Sequence, residues 1–183
     1  MTDAFTHDAA RDDQLILVNL LDQPIGTASK EDAHRQSLLH RAFSVMLWRE
    51  GPNGPELLLS RRAPGKYHSA GLWANSCCSH PRAGEDLADA VQRRVAEELG
   101  TQALDARELG SFAYRACFDN GISEYEFDHV FLARCSGEPH PDPSEVSEVR
   151  WVPAEQVMSE LLERPQDFCA WVPGVLPFVF AAL

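Results

Sequence analysis

Asn75-Ser76-Cys77-Cys78-Ser79-His80-Pro81, with Gly84-Glu85 and Arg93-Arg94-Val95-Ala96-Glu97-Glu98-Leu99-Gly100 behind it, is the stretch that decides the fold of this 183-residue chain. It sets a thiol two residues from an imidazole, directly after the apolar run Ala70-Gly71-Leu72-Trp73-Ala74. A thiolate and an imidazole can share a metal, or move protons near neutral pH. Leu87, Val91, Val95 and Leu99 recur at helical spacing, so residues 85–99 are predicted to form an amphipathic helix that Gly100 stops. Carboxylates at the end of that helix, close in sequence to Cys and His, suggest a metal-assisted site. The plainer alternative is a buried free cysteine near a surface histidine.

Upstream, Gln14–Asn19 reads as a strand with a turn at Asp22–Gly26. Lys30–Leu39 is polar, a short helix or loop. Arg41–Trp48 is a buried strand, and Glu56–Arg61 returns beside it after the turn Gly51-Pro52-Asn53-Gly54-Pro55. Residues 63–71 form a loop. Downstream, Phe112–Cys117 and Ile122–Ala133 flank Asp119-Asn120-Gly121, and Asn-Gly between apolar runs predicts a hairpin. Val149–Val152 is the last strand, and helices are predicted over 154–163 and 167–182. This order implies an α+β fold of mixed β-sheets covered by α-helices. Residues 14–183 are one domain at this length, and residues 1–13 are a flexible polar tail.

The net charge of −12 argues against a nucleic-acid or anionic-membrane partner. The chain starts without a basic, then apolar, leader, and no apolar run reaches membrane-span length. Five cysteines without a CxxC pair point to a reducing, cytoplasmic compartment. If the substrate is itself anionic, local cations and a divalent metal must overcome the overall field.

Four constellations can carry chemistry. His34 and His40 precede the first long strand; Cys78 and His80 form the opening motif. Glu124 and Glu126, two apart in a strand, project from one face. Three imidazoles and two carboxylates suit Mn²⁺, Zn²⁺ or Mg²⁺, although two glutamates on a strand can equally be a solvated face. Arg94 and Glu98 stand one helical turn apart, either as a simple ion pair or as a Mg²⁺ carboxylate beside a phosphate-binding guanidinium. Arg61, Arg62 and Lys66 can add to an anion site.

Taken together, Leu39-His40-Arg41-Ala42-Phe43-Ser44, Ser60-Arg61-Arg62-Ala63, the string Lys66–Pro81, Arg93-Arg94, Glu98-Leu99-Gly100, Phe112-Ala113-Tyr114-Arg115 and Ser123-Glu124-Tyr125-Glu126-Phe127-Asp128-His129 resemble the type I isopentenyl-diphosphate isomerases, a Nudix-fold family. The resemblance runs from about Leu15 to Trp171. A Nudix hydrolase carries Gly and Glu where this chain has Ser79 and Arg94, so the hydrolytic motif is degenerate here although Glu85 keeps its place. The resemblance implies a first divalent metal held by His34, His40, His80, Glu124 and Glu126. It implies a second, Mg²⁺, bridging Glu98, the backbone carbonyl of Cys78 and the substrate diphosphate. Lys30, Arg62, Lys66 and Arg94 match phosphate-binding positions. Cys78, Glu126 and Tyr114 match the proton-transfer groups, and Trp171 matches an aromatic wall. The implied reaction is the 1,3-allylic shift between isopentenyl and dimethylallyl diphosphates, in a monomer or weak dimer. Two rivals remain at this point: a Nudix diphosphate hydrolase, which releases phosphate, and a non-catalytic domain with a structural Zn²⁺ site, which chelation unfolds.

Overall fold

Ala42-Phe43-Ser44-Val45-Met46-Leu47 is almost wholly apolar, and it becomes the middle of the central strand. The computed structural model describes residues 14–183; the tail predicted over residues 1–13 lies outside the described residues. In chain order the elements are β1 (Gln14–Val18), β2 (Pro24–Ser29), α1 (Lys30–Gln36), β3 (His40–Gly51), β4 (Gly54–Arg62), β5 (Trp73–Ala74) and β6 (Cys77–Ser79). There follow α2 (Leu87–Leu99), β7 (Ala103–Cys117), β8 (Ser123–Cys135), β9 (Val146–Pro153), α3 (Ala154–Glu163), a 3₁₀ turn at Pro165–Asp167 and α4 (Val172–Ala182). β3 runs parallel to β8 and antiparallel to β1, β4 and β6. β7 pairs with β8, and β9 with β4. The fold is therefore α+β, a mixed sheet with helices on both faces.

Strand alternation sorts the side chains into two cores. Phe43, Val45 and Leu47 of β3 join Phe131 and Ala133 of β8 beneath α2, which contributes Ala90, Val91, Val95 and Leu99. Met46, Val130 and Leu132 face the other way, against Val157 and Leu161 of α3 and Val172, Val175, Leu176 and Val179 of α4. The same second face continues along both strands as His40 and Ser44 on β3 and Glu124, Glu126 and Asp128 on β8, all buried. One sheet face thus passes from an apolar core at one end to a polar, ionisable cluster at the other.

Local signals start and stop the helices. The Ser29 side chain accepts from the Asp32 N–H at the head of α1, and Asp86 does the same for Ala88 in α2. Gly100 closes α2 at φ +59°; a Cβ there would also meet the His140 carbonyl oxygen at 2.6 Å, so both backbone and space require glycine.

The structure adds strands β2, β5 and β6 to the sequence expectation and moves several boundaries, three of which have a clear cause. The helix expected from 85 begins at Leu87, with Asp86 as cap and Glu85 outside it. The strand expected from 112 begins at Ala103: its first half is mostly exposed and carries no apolar alternation, and pairing with β8 alone defines it. The helix expected from 167 begins at Val172, because the Cys169 N–H donates to the Trp73 carbonyl (2.8 Å) and Phe168 bridges Trp73, which holds that backbone extended.

Candidate active site

Three elements bring the histidines to Glu124 and Glu126. α1 presents His34, the first residue of β3 is His40, and His80 follows β6. Register places His40 opposite Glu126 across the parallel β3–β8 pair. His34 Nε2 lies 3.0 Å from Glu124 Oε2, and His80 Nε2 lies 2.9 Å from Glu126 Oε1. His40 Nε2 sits 3.8 Å from Glu124 Oε2 and 3.6 Å from Glu126 Oε1, buried and with no hydrogen-bond partner.

The tautomers show what this cluster is built to hold. The Nδ1–H of His34 donates to the Lys30 carbonyl (2.6 Å), and that of His40 to the Leu38 carbonyl (2.9 Å). A carbonyl only accepts, so each ring is oriented by its Nδ1–H and, when neutral, points an Nε2 lone pair at carboxylate oxygens. Such facing lone pairs in a buried site need a cation between them, either a proton on Nε2, as in the His34–Glu124 hydrogen bond, or a divalent metal in its place. His34, His40 and His80 place ligand nitrogens within 4.8 Å of one another, and His40, Glu124 and Glu126 do so with nitrogen and oxygen. The donor set fits a divalent metal. Burial outweighs the Glu126 hydrogen bond and lowers His80 to about 4, which suits a neutral ligand. Burial also raises Glu124, but hydrogen bonds from His34 and His68 win and hold it well below the usual carboxylate value.

Beside the cluster opens a cavity lined by Lys30, Arg62, Lys66, Arg94, Glu98, Cys78, Tyr114, Glu126 and Trp171 among others. At its cationic end Arg94 bonds Glu97 (2.7 Å) and Glu98 (2.5 Å), while Lys66 pairs with Glu145. Burial raises Glu98 despite Arg94 beside it, and burial lowers Lys30. The Arg62 guanidinium lies 5.4 Å from the Trp171 ring centroid. At the other end the Tyr114 hydroxyl donates to Glu126 Oε2 at 2.5 Å. Burial, then the Glu126 charge, pushes that phenol well above its usual value, so it remains a donor. The Cys78 thiol donates to Asn75 Oδ1 at 2.9 Å, and burial followed by the nearby Asp128 keeps it protonated. Cys78 and Glu126 sit on strands either side of β3.

Residues 38–172 match the NUDIX domain family. A MutT NUDIX hydrolase from Burkholderia pseudomallei shares the fold, with a TM-score of 0.61 at 24% identity over 77% of this chain and 98% of that one. Isopentenyl-diphosphate Delta-isomerase of Photobacterium profundum is 43% identical over 94% of this chain and 97% of its own length. Isopentenyl-diphosphate Delta-isomerase 2 of Aromatoleum aromaticum is 41% identical over 93% of this chain and 88% of its own. The chain belongs to the isopentenyl-diphosphate delta-isomerase family.

The site side chains implied by the family resemblance meet in one region: His34 and His40 abut the two glutamates, and the others line the cavity. Arg61, also expected near an anion site, is not among them, because its guanidinium donates to the Gly71 carbonyl and Glu148. Sequence reasoning missed five side chains. His68 Nε2 lies 2.6 Å from Glu124 Oε1. The Ser44 hydroxyl donates to Asp128 Oδ2 at 2.7 Å and lies 3.5 Å from Cys78 Sγ. Glu145 occupies the cationic end, and Asn75 holds both Cys78 and Trp171. Asp128 had a signal, since it extends the same-face alternation of Glu124 and Glu126 by one step. Glu145 had none, for it reaches Lys66 across 79 residues of sequence.

Proposed function

We propose that this family member interconverts isopentenyl and dimethylallyl diphosphates by protonation and deprotonation through a tertiary carbocation. The observation that carries this reading is a single cavity lined by four cationic side chains together with a thiol, a phenol–carboxylate pair and an indole. An unactivated alkene is a poor base, so the reaction needs a positioned acid, a positioned base and walls that do not trap a cation.

Lys30, Arg62, Lys66 and Arg94 bind the diphosphate, which a chain of net charge −12 can hold only where such groups converge. The Cys78 thiol delivers a proton to C4, leaving positive charge at C3. Trp171 faces that charge with its ring, a cation–π attraction worth about 0.5–2 kcal/mol. Glu126, held by the Tyr114 hydroxyl, takes the proton from C2. His34, His40, His80, Glu124 and Glu126 would hold one divalent metal (Mn²⁺, Zn²⁺ or Mg²⁺), and Glu98 with the Cys78 carbonyl would hold Mg²⁺ against the diphosphate. When bound, these ions supply fixed positive charge that neutralises the carboxylates and offsets the charge of the substrate.

We read residues 14–183 as one catalytic domain, acting as a monomer or weak dimer in the cytoplasm. All five cysteines are free, as a reducing compartment requires, and no helix among the described residues is long and apolar enough to cross a membrane. The test is proton NMR of the purified protein with isopentenyl diphosphate and Mg²⁺ in D₂O. Deuterium in dimethylallyl diphosphate without phosphate release is the expected result. Phosphate release, or no exchange in a folded, metal-loaded sample, overturns the proposal.

A further inference from the structure

Asn75 lies on the short link between β5 and β6 and is completely buried. Its Nδ2 donates to the carbonyls of Val45 (3.1 Å) and Cys77 (3.0 Å). Both partners can only accept, which fixes the orientation of the amide. Its Oδ1 therefore faces the cavity side, where it accepts from Cys78 Sγ (2.9 Å) and Trp171 Nε1 (3.0 Å). Two donor hydrogens and two lone pairs exhaust what the side chain can offer. The indole N–H is the single polar group of Trp171 and is spent here. Ser44, 3.5 Å from the same sulfur, gives its own hydrogen to Asp128, so Asn75 is the acceptor that sets the resting direction of the S–H bond.

We infer that Asn75 is a positioning residue for the isomerisation, its one side-chain oxygen tying the Cys78 thiol and the Trp171 indole into a fixed register. This inference rests on the reading of Cys78 as the acid and Trp171 as the wall. The proton must reach C4 while the ring faces the charge forming at C3. The two groups lie 93 residues apart in sequence, and their common acceptor ties them together across that distance. The amide nitrogen holds the backbone of β3 and β6; the oxygen serves the site.

The test is Asn75→Ala in the Mg²⁺-loaded enzyme, read by kcat, KM and the rates at which iodoacetamide labels each cysteine. Misplacing a reacting group by about an ångström costs about 10²-fold, so kcat is expected to fall by that order with KM within about twofold. Cys78 is expected to label several-fold faster, while Cys77 and Cys169, both buried, stay protected. Labelling of all three together reports general loosening and overturns the positioning role, as does a kcat within twofold of the parent. If Asn75→Ala does not fold, Trp171→Phe keeps an aromatic ring, though a smaller one, and removes the N–H; faster labelling of Cys78 is expected, and an unchanged rate overturns the shared anchor. Cys78→Ala is measured alongside. Its turnover at the parent rate would overturn the acid assignment itself and this inference with it, whereas a dead Cys78→Ala beside a fully active Asn75→Ala would sink the inference alone.

Discussion

Tyr114→Phe removes one oxygen and leaves the ring, which lies 5.7 Å from Phe112 and 6.4 Å from Trp171 between centroids. What disappears is the 2.5 Å hydrogen bond to Glu126 Oε2. The other oxygen, Oε1, already faces His80 at 2.9 Å and His40 at 3.6 Å. The phenol is therefore the group that holds Glu126's second oxygen toward the cavity. A hydrogen bond to a charged group contributes about 1.5–3 kcal/mol, and each 1.36 kcal/mol is a factor of ten in rate. If that interaction orients the base for the C2 proton, kcat falls roughly 10- to 150-fold. KM should change little, because the proposed diphosphate site lies at the cationic side chains and not at this hydrogen bond. The assay is the rate of deuterium entry into dimethylallyl diphosphate by proton NMR at saturating substrate, with circular dichroism to confirm the fold. A kcat within twofold of the parent would refute the reasoning, and a raised KM at constant kcat would move Tyr114 from proton chemistry to binding.

Ser76→Ala strands the Leu47 N–H and the Leu58 carbonyl, each bonded to its hydroxyl at 2.7 Å; at about 1–3 kcal/mol per orphaned group, urea unfolding should report a loss of about 2–6 kcal/mol, and a loss under about 0.5 kcal/mol contradicts this account. Glu145→Gln frees Lys66 and relieves Arg94, so inorganic diphosphate with Mg²⁺ should bind about 2- to 5-fold tighter by calorimetry, in line with about 0.2–1 kcal/mol for such a pair; weaker binding would mean that Glu145 places Lys66 rather than competes with the ligand. Burial raises both Glu85 and Glu160, yet arginine hydrogen bonds (from Arg93 and Arg150 respectively) win and lower them. A depressed carboxyl contributes stability that is whole above its unfolded pKa and lost as pH falls through the folded one. These two carboxyls therefore add no pH dependence above about pH 5 and weaken the fold below it, so Glu85→Gln with Glu160→Gln should lessen the fall of the urea midpoint below about pH 5; an unchanged slope counts against both pairs.

The sequence alone carried the periodic features. The α2 stripe Leu87, Val91, Val95, Leu99, the capping glycine, the Asn-Gly hairpin and the central β3 run are local patterns whose physics acts within a few residues, and they appear as expected. The side chains of the site were legible because they fall in motifs, and because strand alternation puts Glu124 and Glu126 on one face. Only the tertiary structure decided that this face is the continuation of the α3/α4-side core. That depends on β3 and β8 lying parallel in one register, a contact between residues more than 80 positions apart. The first half of β7, the delayed start of α4, the Lys66–Glu145 pair and the Asn75 anchor share this cause. Each is set by a partner distant in sequence, and hydrogen bonds or charges that close across such distances leave no period in the chain that makes them.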